Sequence, residues 1–531
     1  MNLKRFFLSC SIIFLATFSF AQNSLQKYIV YYTTKDTANF NPFTFFDKKA
    51  IERRLINEIA VYDYSDIPVN QNFCSAVKKE VTNYRVTSRW LNASVVIANE
   101  TQIKKIEKFN FVASVQKLEN SIEPAICSVK EEPSKKTLSE KDKDLLHLQI
   151  DRMQGKLFAK NNITGKGVRI AIFDAGFPGV DKIEAFKSIR DNNKIIDCYD
   201  FVKNKKNVYA YNSHGTNTFS CIAGVSQQGT IGMATEAEFL LARTENAKTE
   251  PFSEEENWLA AAEWADKNGA QIISSSLGYT ANRYFQKDMN GQTSLVAKAA
   301  RMAARKGILV VNSAGNDGDE KWHIIGTPAD VDSVLSVGGI NPKTNIHTSF
   351  SSFGPIKGSV VKPNVSALGH VIAAGPNGLH ETQGTSFSCP LVSGFAACVL
   401  QLKPNLKAME LFELVEKSSD LFPYFDYAHG YGVPQASYFF ENDSIEKIKP
   451  QIKIDESNFK ISVFVDEKDI ENLNKNNNKL FYHIQNSNGS LHRYAVVKVT
   501  TTKPIEFNTS DFEKGQKLVI YFNNYLYTKQ F

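Results

Sequence analysis

The sequence predicts an α/β protein: a parallel sheet between layers of helices, with a small α+β domain before it and a small β module after it. Three features point there. From about Asp151 to Phe440 short apolar strands alternate with amphipathic helices. Up to Leu118 the strands and helices are shorter and mixed, and after Pro434 the helical period stops. At 531 residues, with roughly 150 per domain, several folding units are expected. With 42% hydrophobic and 22% charged residues the chain is neither fibrous nor disordered. A formal net charge of +6 without long basic blocks argues against a nucleic-acid partner.

The elements follow in chain order. Lys4 and Arg5, an apolar run to about Phe18, and Ser19, Phe20 and Ala21 before Gln22 read as a cleaved signal peptide over residues 1–21, hence an exported, secreted or surface protein. The run is short of the ~20 residues that span a bilayer, and it continues past Cys10, which disfavours a lipoprotein site there. No later stretch reads as a membrane span. Residues 22–120 form the front domain, with strands over Lys27–Thr34, Leu91–Ala98 and Phe111–Leu118. A helix over Ala50–Ala60 carries Ile51, Leu55, Ile56 and Ile59, and Thr101 caps a short one with Ile103 and Ile106. Residues 121–146 read as a linker, densely charged from Ser128 to Asp144.

The main domain, residues 147–440, begins its pattern with a strand over Val168–Phe173. A helix over Asn257–Lys267 stops at Gly269 and places Trp258, Ala261, Ala262 and Ala265 on one side. A strand over Gln271–Tyr279, a helix over Ser294–Lys306 closed by Gly307, and a strand over Ile308–Ser313 come next. Strands and helices in this alternation imply right-handed crossovers and a parallel sheet. Residues 445–531 read as a β module, with strands over Lys460–Val465 and Lys517–Phe522 and a turn or loop in the Asn-rich run 472–478. The acidic stretches Glu254–Glu256 and Asp288–Asn290 are expected on a solvated face, a structural calcium being the alternative, and no cofactor or other metal is expected. Beyond Cys10, the cysteines Cys74, Cys127, Cys198, Cys221, Cys389 and Cys398 lack zinc-site spacing and are expected mostly as buried thiols.

Four segments of the main domain carry polar residues where a core would not: FDAGF at 173–177, NSHGTNTF at 212–219, NSAGND at 312–317 and GTSFSCP at 384–390. Each lies beside glycine at a strand end or helix start, where open α/β sheets build their sites. Singly, Asp174 reads as a cap, His214 as a loop histidine, Ser386 as a helix cap and Asn316 as a turn residue. Together, an acid, a histidine and a serine in one parallel-sheet domain make a nucleophilic site. A serine hydroxyl is a weak nucleophile at neutral pH and needs a base, and the base needs an orienting partner.

Their order and surroundings, with SSSLG at 274–278, FSSFGP at 350–355, KPNVSALG at 362–369 and GYGVPQA at 430–436, resemble the subtilisin-like serine proteases, the subtilases, over about Gly165 to Ala436. The wording, with SRWLNAS at 88–94 and ARTENAKTE at 242–250, is similar to an exported Bacteroidetes-type group. The resemblance implies the subtilisin-like three-layer fold and a serine endopeptidase acting on protein or peptide substrates. It implies Ser386 as nucleophile, His214 as base and acid, Asp174 orienting His214, and Asn316 in the oxyanion hole. Ser276, Leu277 and Gly278 would pair with an extended substrate. The front domain would be a propeptide that guides folding, inhibits the site and is removed by self-cleavage between Ser121 and Leu146. The tail would be a sorting signal, an accessory or a domain without separable function. Phe387, Cys389 and the wording DAGF depart from the usual pattern and bear on pocket shape. Cys221 and Cys389, on the helices that His214 and Ser386 open, are expected as buried thiols, with a disulfide as the alternative.

Rival readings fare worse. An esterase of the α/β-hydrolase kind needs a G-x-S-x-G elbow and another residue order. Gly165 and Gly167 precede the first strand instead of following it, against a dinucleotide site. A noncatalytic binding scaffold on the same fold would normally have lost a catalytic residue, and all are present.

Overall fold

The structure is a computed structural model that describes residues 24–37, 40–118, 138–246, 253–281, 283–355, 361–440, 452–457, 460–465, 479–499 and 503–531. The signal-peptide reading, Cys10, Cys127, most of the linker and the Asn-rich run lie outside these residues.

Seven strands form one parallel sheet in the order Val365–Leu368, Val334–Ile340, Leu309–Ser313, Ile272–Ser275, Arg169–Asp174, Glu238–Arg243 and Ile195–Asp200. Side chains alternate across it. Ile170, Ile172, Ile272, Val311 and Val337 face a core shared with the helices His214–Ala223 and Thr385–Leu402. Ala171, Phe173, Ile273, Val310 and Val334 face the helices Ser253–Lys267 and Leu295–Arg305. Both faces of the central strands are covered, which is why Arg169–Asp174, Ile272–Ser275 and Leu309–Ser313 read as largely apolar runs. The strand expected to reach Tyr279 ends its pairing at Ser275, and Tyr279 makes only an isolated bridge to Thr327. One helix, Thr385–Leu402, is long and apolar enough to cross a membrane, contrary to the expectation of none, but it is buried between the sheet and its neighbours.

The front domain runs from its first strand through the helices Pro42–Phe45, Lys48–Ile56 and Gln71–Glu80 to two strands, a helix and a last strand. Its antiparallel sheet runs Asn83–Ser88, Ala93–Ala98, Gln26–Tyr32, Val112–Leu118, with helices Gln71–Glu80 and Glu100–Ile106 on one face. Asn99, rather than Thr101, caps the second helix. Tyr28, Val30 and Tyr32 point to those helices, whereas Ile29, with Ala93 and Val95, points into the core of the main domain against Trp258 and Leu259. The front domain therefore completes the layer outside the Ser253–Lys267 helix.

Two expectations fail here. The linker does not extend to residue 146. Ser139 caps a helix over Glu140–Asp151 through a reciprocal bond with Asp142, and Leu145, Leu146 and Ile150 are buried against the main domain. Its first turn is wholly charged, which masked the apolar positions behind it. The acids Glu254–Glu256 are buried rather than solvated, and protein cations take them. Glu256 meets Lys27 at 2.6 Å and Arg85 at 3.4 Å from the front domain, and Arg283 pairs with Glu254 and Glu255. Asp288 caps a local turn through the Phe285 N–H.

A second contact joins the front domain to the main domain at the opposite ends of the helices. Buried Asp266 accepts from Arg53, from Arg54 at 3.0 Å and from Arg89 at 2.7 Å. Burial alone would raise its pKa, but Arg53, Arg89 and Arg54 hold it well below the usual carboxylate range. Arg53 also donates to the Lys306 carbonyl at 3.0 Å, and Lys306 Nζ reaches Asp63 and Asp66 at 2.8 Å.

The tail is a two-sheet antiparallel module. Strands Ile452–Ser457, Lys460–Val465 and Ile505–Asn508 face Leu491–Lys498, Lys479–Gln485, Lys517–Phe522 and Tyr525–Gln530 across a core of Ile461, Val463, Leu480, Ile484, Leu518 and Phe522. On its other side Phe481, Val519 and Tyr521 pack on Leu421 and Tyr424 of the main domain.

Asp266→Asn leaves three guanidiniums around a neutral amide. In the full uncleaved chain it is expected to lower the unfolding free energy measured in urea by about 3–5 kcal/mol. Lys48→Ala, on the exposed side of the Lys48–Ile56 helix, should change it by less than about 0.5 kcal/mol. Equal stability of the two variants would contradict the assignment of Asp266 as the joint.

Candidate active site

Asp174 is the last residue of its strand and is buried. Its Oδ1 lies 2.8 Å from His214 Nδ1 and also accepts the Ala175 N–H at 2.7 Å, while Oδ2 accepts the Thr218 hydroxyl at 3.0 Å. His214 opens the His214–Ala223 helix, and Asn212 Oδ1 accepts its backbone N–H at 2.8 Å. With Nδ1 donating to Asp174, the lone pair sits on Nε2. Burial opposes the imidazolium, but the charge of Asp174 and its hydrogen bond outweigh this and raise the His214 pKa above its ordinary value.

Ser386 is the second residue of the Thr385–Leu402 helix. The chain enters that helix through Gly384 at φ +139°, a conformation that side-chain-bearing residues rarely adopt, and a Cβ there would lie 3.4 Å from Asn316 Nδ2. The Ser386 hydroxyl donates to the Ser276 carbonyl over a long 3.3 Å, rather than to the imidazole, and the Ser276 hydroxyl donates to the Ser386 carbonyl at 2.8 Å. The ring of Phe387 stands 5.7 Å from that of His214, so the two helix starts come together.

Asn316 lies on the loop after the Leu309–Ser313 strand, exposed at the same edge of the sheet. Its Oδ1 accepts from the Thr385 N–H at 2.9 Å and the Thr385 hydroxyl at 3.0 Å, which leaves Nδ2 as the amide's free donor end. Of the three residues expected to bind substrate, Leu277 has its side chain buried and its carbonyl taken by Asn312 Nδ2 at 2.8 Å, whereas Gly278 is exposed, and a Cβ there would lie 3.7 Å from the Thr327 carbonyl. Thr218, Thr385 and Asn312 were not singled out from sequence. All three sat inside the quoted segments, but their contacts come from the tertiary fold. Cys221 and Cys389 are buried free thiols, and no disulfide joins the described cysteines. Burial pushes Cys389 up to about 11 and Cys221 up to about 12, so neither supplies a thiolate near neutral pH.

An acid, an imidazole, a serine and a free amide donor thus meet at the carboxyl edge of a parallel sheet, a set suited to acyl transfer. The model of the subtilase family matches residues 165–432, half of the chain, a span that contains Asp174, His214, Asn316 and Ser386. The chain belongs to the subtilase family. The propeptide model of Bacteroidota peptidase S8 proteins matches residues 27–137. Among curated relatives, subtilisin DY of Bacillus licheniformis is 29% identical over 251 residues, 46% of this chain and 81% of that protein. Alkaline elastase YaB of Bacillus sp. strain YaB is 26% identical over 325 residues, 59% and 76% of the two chains. Subtilisin E of Bacillus subtilis strain 168 is 25% identical over 354 residues, 65% and 81%. This subtilase is therefore a serine endopeptidase, and its front domain is a propeptide domain.

NMR titration of the imidazole should place His214 above the ordinary value of about 6.5. Asp174→Asn, which removes the charge that raises it, should move the midpoint down. An unmoved midpoint would contradict the pairing.

Proposed function

We propose that this subtilase is an exported endopeptidase that cleaves extended polypeptides through an acyl-enzyme on Ser386, and that it releases its own propeptide. The observation that carries the reading is the Asp174–His214 hydrogen bond of 2.8 Å, at the sheet edge where Ser386 opens its helix. The Ser386 hydroxyl gives up its long bond to Ser276 and turns to His214 Nε2. Its oxygen attacks the scissile carbonyl carbon as His214 takes the proton. The carbonyl oxygen becomes an oxyanion and accepts from Asn316 Nδ2, which Thr385 holds in place. The C–N bond then breaks, His214 returns the proton to the leaving amine, and water deprotonated by His214 hydrolyses the ester. Asp174 keeps the ring in the required tautomer and stabilises the imidazolium.

Substrate backbone pairs along Ser276–Gly278, where strand addition reads main chain and tolerates many sequences. The propeptide inhibits the enzyme until the chain is cut, a reading supported by the propeptide match over residues 27–137. The propeptide match up to residue 137 and the Glu140–Asp151 helix packed on the main domain support a cut in the charged segment before Glu140. Export rests on the basic and apolar leader of residues 1–21.

In a host without a protease able to cut the linker, the wild-type chain should lose its propeptide, whereas Ser386→Ala should keep it and fold. Identical processing of both would overturn self-cleavage. Asn316→Ala should lower kcat by roughly 100- to 1000-fold with little change in KM, as for removal of one oxyanion donor. A change confined to KM would contradict the role.

A further inference from the structure

Between Asn316 and the C-terminal β module lies one segment, residues 347–354. On one side it holds the loop that carries Asn316. The Ser352 N–H donates to the Gly315 carbonyl at 3.0 Å, the Asp317 N–H to the Ser352 hydroxyl at 3.1 Å, and the Gly318 N–H to the Phe350 carbonyl at 2.8 Å. Contact is tight enough that a Cβ on Gly318 would fall 2.2 Å from the Ser351 carbonyl. Farther along, the Phe353 N–H donates to the His323 carbonyl at 3.0 Å, and the His323 ring stacks on Phe353 at 4.5 Å.

On its other side the same segment meets the module. The ring of Tyr494 stands 6.0 Å from Phe353, 6.0 Å from His347 and 5.5 Å from His429. A buried chain of hydrogen bonds crosses beside it. His483 Nδ1 of the module donates to the Tyr424 oxygen at 3.1 Å, and the Tyr424 hydroxyl donates to Asp426 Oδ2 at 3.1 Å. His429 Nδ1 donates to Asp426 at 3.0 Å, the His347 N–H donates to His429 Nε2 at 2.9 Å, and His347 Nε2 donates to the Ser351 carbonyl at 2.8 Å. Burial pushes His483 down to about 4 and His347 down to about 3, so both rings are neutral near neutral pH.

We propose that the C-terminal module is a working part of the protease, in which Tyr494 is a positioning residue that presses on Phe353 and His347 and thereby holds the Gly315–Gly318 loop and the Asn316 amide. Oxyanion stabilisation depends on a donor placed to within a fraction of an ångström, so a loop that relaxes loses rate before it loses affinity. The module is thus mechanically continuous with the site and not only a tail that addresses the enzyme.

The inference rests on Asn316 as oxyanion donor, and a double-mutant cycle separates the two. The test uses the processed enzyme with its module verified by intact mass, and kcat is expressed per serine titratable with a fluorophosphonate. Tyr494→Ala should lower kcat about tenfold with KM within about twofold. Tyr494→Phe, which keeps the ring, should restore it. In the Asn316→Ala background the further loss from Tyr494→Ala should shrink below about threefold, because the donor it positions is gone. If Asn316→Ala leaves kcat unchanged, the oxyanion assignment fails. If Asn316→Ala lowers kcat but Tyr494→Ala does not, or if the two losses multiply in full, the positioning role fails. Should Tyr494→Ala not fold, Tyr494→Leu is read by the same criteria. Retention of full kcat by a chain cut within residues 441–451 and freed of its module also overturns it.

Discussion

Parallel register pairs Phe173 with Ser275 and Ser275 with Asn312, so three neighbouring strands end at one edge of the sheet. Asp174, Ser276 and the loop to Asn316 are the residues that follow directly from those ends. Two helices then begin over the same edge with His214 and Ser386. No single element contains the site. Any slip of one strand would move Asp174 or Asn316 by a full residue and turn its side chain to the other face. The buried, two-faced packing of the sheet is what prevents that slip, with Ile170, Ile172 and Val311 committed to one core and Ala171, Phe173 and Val310 to the other.

The same helices that cover the sheet serve as the seat of the propeptide. Ser253–Lys267 buries Trp258 and Leu259 under Ile29 and Val95 on one stretch, and presents Glu256, Glu263 and Asp266 to Lys27, Arg89 and Arg53 along another. Buried ion pairs of this kind add less net stability than their Coulomb energy suggests, because desolvation opposes them. Their effect is specificity. A carboxylate with three guanidiniums around it accepts one docking geometry, and losing one partner leaves charge stranded. The propeptide domain is in this way a missing layer of the fold, which fits the slow formation of a sheet built from non-local pairings.

Legibility in the sequence followed how local each feature was. Asp174, His214, Asn316 and Ser386 stood out because each interrupts an apolar run beside a glycine. Three of the seven strands of the parallel sheet, Arg169–Asp174, Ile272–Ser275 and Leu309–Ser313, were visible as apolar runs buried on both faces, and the other four were not singled out. Thr218 and Asn312 were not, since a threonine inside a helix and an asparagine at a strand end acquire meaning only from what faces them. Glu254–Glu256 looked like a solvated face because their cations, Lys27, Arg85 and Arg283, lie far away in the chain. The Glu140–Asp151 helix hid behind its charged first turn, where acids are favoured by the helix dipole and capping rather than by exposure alone. Tyr494 carried no signal at all, because its partners Phe353 and His347 lie in another domain.

The central claim is that one serine, Ser386, forms the covalent bond. Mass-spectrometric peptide mapping after reaction with a fluorophosphonate tests it directly, because the probe loses fluoride to an activated hydroxyl and leaves a stable phosphonyl ester. The account predicts one adduct per molecule, on the peptide containing Gly384–Pro390, and none when His214 is replaced by alanine. An adduct on another serine, or an unlabelled enzyme that still hydrolyses peptides, would contradict it.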